Sequence, residues 1–234
     1  MSNESRAKSA FSKARDYYES GLKSANKKYD DNSANVSWWK QLSGKAKARN
    51  TAQPTAGAVI SVHRSSNVFN NMNIIDKGRF LYDGKVSAGN CGELAQVCCY
   101  LLSKSGAPNN TIALTGVYTV NPAVGAKVAD HAFCLYGPSD LLNAMVNQPT
   151  FCKLDYLNDA RAYRSIYAID PWANTCCTLD KYPGNMANKM ESWGTYGKRV
   201  LWCYGPGAGD YGWYNPNGEY KTVFAAASLG VNVC

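Results

Sequence analysis

The order of predicted elements in this 234-residue chain (helix, strand, strand, helix, strand) is typical of an α+β domain. Three observations predict that class. Residues 91–103 carry one apolar stripe at helical spacing, three later segments have the alternation or composition of strands, and turn signals separate these segments. With 45% hydrophobic and 18% charged residues, the chain can bury a core, which excludes an intrinsically disordered protein. No run of apolar residues is long enough to span a membrane.

The N-terminal segment, residues 1–55, is predicted to be a basic helical appendage. It holds eleven Lys and Arg against five Asp and Glu, whereas the remainder of the chain holds fourteen against twelve. This charge suits an acidic partner, although a solvated helix face is the simplest interpretation. We expect an amphipathic helix over residues 5–30, because apolar side chains recur there at steps of three and four. These side chains are Phe11, Ala14, Tyr18, Leu22, Ala25 and Tyr29.

The boundary between this appendage and the main domain is predicted near residue 56. A second short helix is expected over residues 38–49, and residues 50–57, which include Pro54, are expected to form a linker. Residues 56–234 are then the main domain. We expect the appendage to dock its apolar stripe on that domain and to be dispensable for the chemistry.

Six elements are predicted in the main domain. The first helix is the clearest, because Leu94, Val97 and Leu101 fall on one face. Ser139 can cap the second helix, and Pro171 ends the last strand because proline cannot donate to a ladder. In chain order the elements are a strand at 58–63, a helix at 91–103, strands at 111–120 and 131–136, a helix starting at 139, and a strand at 163–169.

The first candidate for chemistry is Cys91, in the run GNCGELA. A thiol at a helix N-terminus meets free N–H groups and the positive end of the helix dipole, which favour the nucleophilic thiolate. The same N–H groups can stabilise an oxyanion, with the Cys91 N–H as the first donor and Asn90 or Asn73 as side-chain candidates. Gly92 leaves room for a substrate carbonyl. Glu93, in the first turn, is expected to favour the helix dipole.

His131 and Asp170 are the predicted partners of this thiol. His131 opens a strand, and Asp170 closes another strand directly before a proline. A carboxylate at a strand end can point at an imidazole on a neighbouring strand and fix its tautomer. A lone histidine is more often structural, and an Asp-Pro pair is more often a turn, so the combination is what indicates catalysis. Asp155 and Asp159 are alternatives for the carboxylate, and His63 is the alternative base.

These residues resemble a known group of enzymes. The order Cys, His, Asp, with N-C-G-E at a helix start, H-A-F on a strand and D-P-W at a strand end, is similar to the transglutaminase-like and papain-like cysteine superfamily. Within it, residues 85–172 resemble bacterial toxin and effector domains, which include glutamine deamidases and cysteine proteases. The resemblance implies a papain-like core, with Cys91 as the nucleophile, His131 as general base and acid, and Asp170 as the orienting carboxylate. Papain-like enzymes also place a glutamine upstream, and the nearest here, Gln53, lies in the predicted linker.

The function implied by this resemblance is hydrolysis of an amide in a protein substrate through a thioester. Deamidation of a glutamine or asparagine side chain is favoured, and Trp172 is a candidate to line the substrate cleft. Proteolysis, transglutamination and peptidoglycan amide cleavage are alternatives, because one triad can serve all of them. A basic binding module without catalysis is the alternative from another class, and in it Cys91 would be a core residue.

Cofactors, partners and location follow from composition and from the resemblance. The nine cysteines form no Cys-x-x-Cys pair and only two histidines accompany them, so no metal and no cofactor is expected. The expected partners are a protein substrate in a target cell and a cognate immunity protein or secretion partner, without specific nucleic-acid binding. The N-terminus lacks the apolar stretch of a secretory signal. We therefore expect synthesis in a bacterial cytoplasm and export by a specialised system without a cleaved signal peptide.

Overall fold

The computed structural model describes residues 2–20, 24–29, 44–120, 126–147, 154–158, 160–204 and 211–234. Its helices are α1 (Asn3–Ser20), α2 (Gly44–Arg64), α3 (Asn67–Asn71), α4 (Ile74–Asp83), α5 (Cys91–Lys104), α6 (Ser139–Asn147), α7 (Leu154–Leu157), α8 (Tyr182–Thr195) and α9 (Lys221–Ala225). Its strands are β1 (Lys27–Tyr29), β2 (Ile112–Tyr118), β3 (Lys127–Val128), β4 (Asp130–Tyr136), β5 (Tyr167–Asp170), β6 (Thr175–Thr178), β7 (Lys198–Tyr204), β8 (Tyr211–Tyr214) and β9 (Ser228–Val233). These elements form an α+β fold, the class that the element order predicts.

The larger sheet has five antiparallel strands in the order β6-β5-β4-β2-β9. Alternate side chains of β4 enter opposite layers of the core, as the strand period requires. Phe133 joins the apolar cluster on one face, and Cys134 and Tyr136 join the cluster on the other. Leu135 lies opposite Ala168 on β5. The start of β4 and the end of β5 therefore lie at the same end of the sheet.

Helix α5 packs on one face of this sheet. Its predicted apolar stripe is buried, and Leu94 and Val97 are fully inaccessible. Helix α4 approaches α5 closely, because a Cβ atom on Gly78 would lie 2.1 Å from the carbonyl oxygen of Gln96. Only glycine permits that approach. The helix that begins at Cys91 is thereby held between α4 and the sheet.

The opposite face of the sheet is covered by α6, α7, α8 and α9. Helix α8 contributes Tyr182, Met186 and Met190, which recur at steps of four and are buried. The Tyr182 ring stacks on Phe133 of β4 with the ring centroids 4.3 Å apart. This stacking fixes α8 against the centre of the sheet.

The smaller sheet is built around β7. Strand β1 pairs with residues 198–200 of β7, β3 pairs with its last two residues, and β8 pairs with residues 200–203. All three pairings are antiparallel. Residues 27–29 thus form an edge strand of this sheet, although they are distant in sequence from β7.

The predicted helix over residues 5–30 is wrong at its C-terminal end. Helix α1 ends at Ser20, and residues 27–29 form β1, while residues 21–23 and 30 lie outside the described part of the chain. The backbone of Tyr29 pairs with the Asn50 side chain, and the carbonyl of Asn26 accepts from Leu201. These long-range hydrogen bonds outweigh the local helical spacing.

The predicted linker at 50–57 and the predicted strand at 58–63 are also wrong, because both lie inside α2. Pro54 is accommodated within this helix. Ala56, Ile60 and His63 are buried at positions i, i+4 and i+7, and Ala56 and Ile60 share a small cluster with Ala25 and Ala88. The free energy gained by burying that stripe exceeds the cost of the missing proline N–H and of the β-branched residues in a helix. Of the second predicted helix at 38–49, residues 44–49 belong to α2 and the remainder lies outside the described residues.

The other predicted elements correspond to observed ones. The helices over 91–103 and from residue 139 are confirmed as α5 and α6, and the strands over 111–120 and 131–136 are confirmed as β2 and β4 with small shifts at their ends. Strand β5 begins at Tyr167 instead of Tyr163, because residues 161–163 form a 3-10 turn. Among the described helices, none has the length and apolar character needed to cross a membrane.

Candidate active site

Cys91 is the first residue of α5 and is 9% exposed. Its backbone N–H is among the first four of the helix, which have no acceptor within the helix. A Cβ atom added to Gly92 would meet no atom within 4 Å, so open space adjoins the helix start. The predicted position of the thiol at a helix N-terminus, with room beside it, is present.

His131 and Asp170 lie together, as the strand ends predict. The distance between His131 Nε2 and Asp170 Oδ2 is 2.7 Å, and the two residues are 2% and 0% exposed. The segment between β4 and β5 includes α6, α7 and a 3-10 turn, and the two strands nevertheless pair directly. The two side chains therefore meet across neighbouring strands at one end of the sheet.

Two further groups hold the Asp170 carboxylate. Its Oδ1 accepts from the backbone N–H of Ala173 at 2.9 Å, and its Oδ2 accepts from the hydroxyl of Tyr182 at 2.9 Å. Burial raises the pKa of Asp170, but the charge and hydrogen bond of His131 and these two donors outweigh burial, so the pKa is lowered. The carboxylate is thus ionised and fixed in direction.

The imidazole of His131 is correspondingly basic. Burial lowers its pKa, whereas the Asp170 charge, the hydrogen bond to it and the interaction with the Cys91 thiol raise the pKa to about 10. The second ring nitrogen, Nδ1, makes no aligned hydrogen bond within the described residues. Because Asp170 occupies Nε2, Nδ1 is the nitrogen left for the thiol. The imidazole thus pairs with the carboxylate through one nitrogen and interacts with the Cys91 thiol.

Aromatic side chains surround the His131 ring. The ring centroids of Trp172, Phe224 and Phe133 lie 4.8, 5.9 and 6.2 Å from it. Trp193 packs against Trp172 with its ring nearly perpendicular, 5.2 Å away. The predicted candidate Trp172 therefore lies beside the imidazole, in apolar surroundings that strengthen the ion pair.

This arrangement can do nucleophilic chemistry on a carbonyl carbon, because it combines a thiol, a base, an oriented carboxylate and free backbone donors. Comparison with protein-family models, curated proteins and solved structures finds no match for this chain. Within the described residues, no group of three or more His, Cys, Asp or Glu side chains is placed to hold a metal ion.

Glu93 occupies a second ionic cluster near the same helix start. Its two oxygens accept from Arg64 Nε and Nη2 at 2.7 and 2.9 Å, and one also accepts from the Asn90 N–H. Burial raises the pKa of Glu93, but these contacts and His63 outweigh burial and lower the pKa to about 2. His63 Nε2 lies 3.7 Å from Glu93, so the alternative base has a carboxylate neighbour that the sequence did not indicate.

The Asn90 side chain binds residues 24–26. Its Oδ1 accepts from the backbone N–H groups of Ala25 and Asn26 at 2.9 and 3.2 Å, and from the Ser24 hydroxyl at 3.2 Å. Its oxygen therefore anchors the chain ahead of β1. The role of Asn90 as an oxyanion donor, which would use its amide nitrogen, stays a prediction, as does the role of Gly92 in substrate approach.

The other residues singled out in the sequence lie away from the imidazole or have different roles. Asn73 caps α4 by accepting from the Asp76 N–H at 2.8 Å. Gln53 donates to the carbonyl of Ala25 at 2.8 Å. Asp155 is exposed on α7, and Asp159 lies outside the described residues.

Sequence reasoning missed Tyr182 and Lys27, which also belong to this site. Lys27 is 3% exposed, and its ammonium lies 3.8 Å from the Trp172 ring centroid. Tyr182 reaches Asp170 from a helix twelve residues later. No local pattern marks these residues, because each is brought to the site by a long-range contact. Only the apolar spacing of α8 could have placed Tyr182 on a buried face.

Proposed function

We propose that this protein is a cysteine-dependent amide hydrolase of the papain-like or transglutaminase-like kind. The observation that carries the proposal is the buried His131–Asp170 pair, whose remaining imidazole nitrogen is left for the thiol of Cys91 at the start of α5. A structural ion pair alone would not need a basic imidazole beside a helix-terminal thiol. The combination has the geometry required of a nucleophile, its base and an orienting group.

In the proposed reaction, the proton of the thiol already resides on Nδ1 of His131, as the raised pKa of the imidazole favours, and the Cys91 thiolate attacks the carbonyl carbon of the amide. The resulting oxyanion accepts hydrogen bonds from the free N–H groups at the start of α5. The imidazolium then gives its proton to the leaving nitrogen, the C–N bond breaks, and a thioester remains. Water, deprotonated by Nδ1, hydrolyses the thioester to a carboxylate and restores the thiol.

Asp170 orients the imidazole in this scheme. Its contacts with Ala173 and Tyr182 hold the carboxylate while His131 changes charge, so the ring keeps Nδ1 directed at the sulfur. Asp170 also stabilises the imidazolium electrostatically in a site that excludes water.

The proposed substrate is a glutamine or asparagine side chain of a protein in a target cell, as in the toxin and effector domains that this sequence resembles. The same three side chains would serve a protease, which breaks a main-chain amide instead of a side-chain amide. The two reactions leave different products: deamidation adds about one dalton to the intact target through hydrolysis of the thioester, whereas proteolysis fragments it.

The test is mass spectrometry of candidate target proteins incubated with wild type, with Cys91→Ala and with Cys91→Ser. A gain of one dalton at a single residue with wild type alone is the expected result. Cleavage of the target by wild type alone would make the protein a protease and overturn deamidation. A change that persists with Cys91→Ala would overturn the assignment of the nucleophile.

A further inference from the structure

Residues 24–29, here called the strap, bridge the two sides of the candidate active site. On one side, Ala25 and Asn26 donate to the side chain of Asn90, the residue before the candidate nucleophile. On the other side, the indole N–H of Trp172 donates to Asn26 Oδ1 at 2.7 Å and to Ser24 Oγ at 3.1 Å. Trp172 is the residue whose ring packs on His131. The strap thus joins the start of α5 to the end of β5.

Lys27 fills the space beneath the strap. Its ammonium lies 3.8 and 4.7 Å from the ring centroids of Trp172 and Trp193 and donates to the Trp172 carbonyl. Burial lowers its pKa, and the neighbouring cations Lys198 and Arg49 lower it further. Holding an ammonium in this slot therefore has a free-energy cost, which is recovered when the strap releases the side chain into water.

The main chain of the strap is held as an added edge strand. Lys27 lies opposite Val200 on β7, and the N–H of Leu201 donates to the carbonyl of Asn26 at 3.0 Å. Gln53 donates to the carbonyl of Ala25 from α2. An extended segment of any sequence can make such main-chain bonds, which is how proteins commonly bind peptides at sheet edges.

The reacting groups are covered in this arrangement. Cys91, His131 and Asp170 are 9%, 2% and 0% exposed, so the carboxamide of a polypeptide cannot reach them unless an element moves. Strands β4 and β5 are internal to the larger sheet and α5 is packed on both sides. Among the described elements beside these residues, the strap is held by a short edge strand and a few side chains, so its release is a small change compared with separating the sheet or α5.

We propose that the strap is a displaceable internal cover, and that an extended polypeptide substrate docks on the edge of β7 that the strap vacates. The slot between Trp172 and Trp193 then receives a long unbranched side chain of that polypeptide, as it now receives Lys27. This inference rests on the proposed function for its substrate, but the closure itself does not depend on amide hydrolysis.

The closure is tested by the alkylation rate of Cys91 with iodoacetamide in the full chain, located by peptide mass mapping. Asn26→Ala removes an acceptor of the Trp172 N–H, and Gln53→Ala removes the donor to Ala25. Each should raise the alkylation rate about five- to tenfold, the effect expected when one hydrogen bond of the closed form is lost. Thr111→Ala is the matched control, because it removes the hydrogen bond of an exposed hydroxyl to the Pro108 carbonyl, at the end of β2 remote from His131, and touches no residue of the strap.

The alkylation rates of the two strap variants and the control distinguish a movable strap from a fixed one. Faster alkylation in Asn26→Ala and Gln53→Ala, with an unchanged rate in Thr111→Ala, supports the cover. Unchanged or slower alkylation in both strap variants makes the strap a fixed wall of the site and overturns the proposal, as does an equal increase in the control. The readout needs only access to the thiol, so a protein with no hydrolase activity but a responsive Cys91 would refute the proposed function and leave the cover standing.

The docking edge is tested on the Asn26→Ala variant with a synthetic peptide of residues 24–29, SANKKY, added in trans. The peptide should slow alkylation back toward the wild-type rate as its concentration rises, and a peptide of the same residues in scrambled order should have a weaker effect. Equal action of both peptides would show that the slot does not select a side chain. If neither peptide slows the alkylation, docking along β7 is overturned.

Discussion

At the scale of single residues, the site depends on which partner each of the two ring nitrogens of His131 has. Asp170 takes Nε2, which leaves Nδ1 for the proposed proton exchange with Cys91. His63 is also buried and lies 3.7 Å from Glu93, on the helix that carries Cys91. The pKa of Glu93 is lowered chiefly by His63 and by the bidentate contact with Arg64. We therefore assign the base to His131 and a structural role to His63.

This assignment predicts opposite results for the two histidines. His131→Ala should lower kcat/KM by at least about a thousandfold, because it removes the proposed acceptor of the thiol proton. His63→Ala should retain activity within about tenfold and lower the free energy of unfolding by about 1–3 kcal/mol through the lost packing and the lost contact with Glu93. Steady-state kinetics and urea unfolding of both variants measure this. Retained activity in His131→Ala would make His63 the base.

Gly92 gives a prediction that separates stability from substrate access. Gly92→Ala should keep or slightly raise the free energy of unfolding, by up to about 1 kcal/mol, because it replaces a helical glycine and the new Cβ meets no atom. If a substrate carbonyl uses that space, the same change should raise KM or lower kcat. Thermal unfolding and kinetics on one preparation check both effects. Unaltered kinetics would show that the substrate approaches from another direction.

The His131–Asp170 pair also predicts how stability depends on pH. The folded-state pKa of His131 is raised from 6.5 to about 10, so its contribution is complete below pH 6.5 and is lost as the pH rises through 10. Asp170 has a lowered pKa, so its contribution is present above its ordinary pKa and is lost as the pH falls. Between pH 7 and 10, wild type should lose about 3–5 kcal/mol relative to His131→Gln.

The measurement is the difference in free energy of unfolding between the two proteins at each pH. Taking the difference removes the effect of Lys27, whose lowered pKa acts in the opposite direction over part of this range. A difference that stays constant from pH 7 to 10 would show that the imidazole is neutral in the folded protein at neutral pH.

At the scale of elements, the close packing of α4 on α5 positions the start of α5. Gly78→Ala should lower the free energy of unfolding by about 2–4 kcal/mol, because its Cβ would overlap the Gln96 carbonyl and force the helices apart. Gly57→Ala is the matched control on α2, where the new Cβ would make only an ordinary contact with Ala25 at 3.9 Å. It should be neutral or stabilising by up to about 1 kcal/mol. Chemical denaturation of both variants checks the pair.

At the scale of the whole molecule, helix α1 is part of the core. Ala7, Ala10 and Ala14 are buried in the cluster that includes Val97 of α5. The guanidinium of Arg15 also donates to the carbonyl of Pro171, next to Asp170, at 3.0 Å. Of the stripe that the sequence predicts, Ala14 is buried and Phe11 is partly buried against this cluster, whereas Leu22 lies outside the described residues. Small residues line the buried face of α1, and the helix contacts the region of the site.

A substitution on each side of α1 tests whether this contact is integral to the fold. Ala14→Leu should lower the free energy of unfolding by about 1–3 kcal/mol, since the added side chain has no space at a fully buried position. That loss corresponds to a fall in Tm of about 2–4 °C for each kcal/mol in a protein of this size. Lys13→Leu introduces the same residue on the exposed side of α1 and should have little effect. Equal Tm values for both variants would make residues 1–55 a separable appendage.

The parts of this protein that depend on local periodicity were predictable from the sequence. The stripe of α5, the alternation of β4 and the proline after β5 predicted the helix that begins at Cys91 and the strand ends that bear His131 and Asp170. Antiparallel neighbours then bring the start of one strand to the end of the next, so the contact between the last two residues was predictable once their strands were paired.

The remaining features could not be predicted, because they depend on contacts between residues far apart in the chain. Residues 27–29 follow a helical pattern, yet pairing with β7 makes them a strand, and burial of Ala56, Ile60 and His63 makes a helix of a segment that contains proline. Tyr182 and Lys27 enter the site for the same reason. Local propensity is worth tenths of a kcal/mol per residue, whereas burial and long-range hydrogen bonds contribute about a kcal/mol each, so the long-range contacts prevail wherever the two disagree.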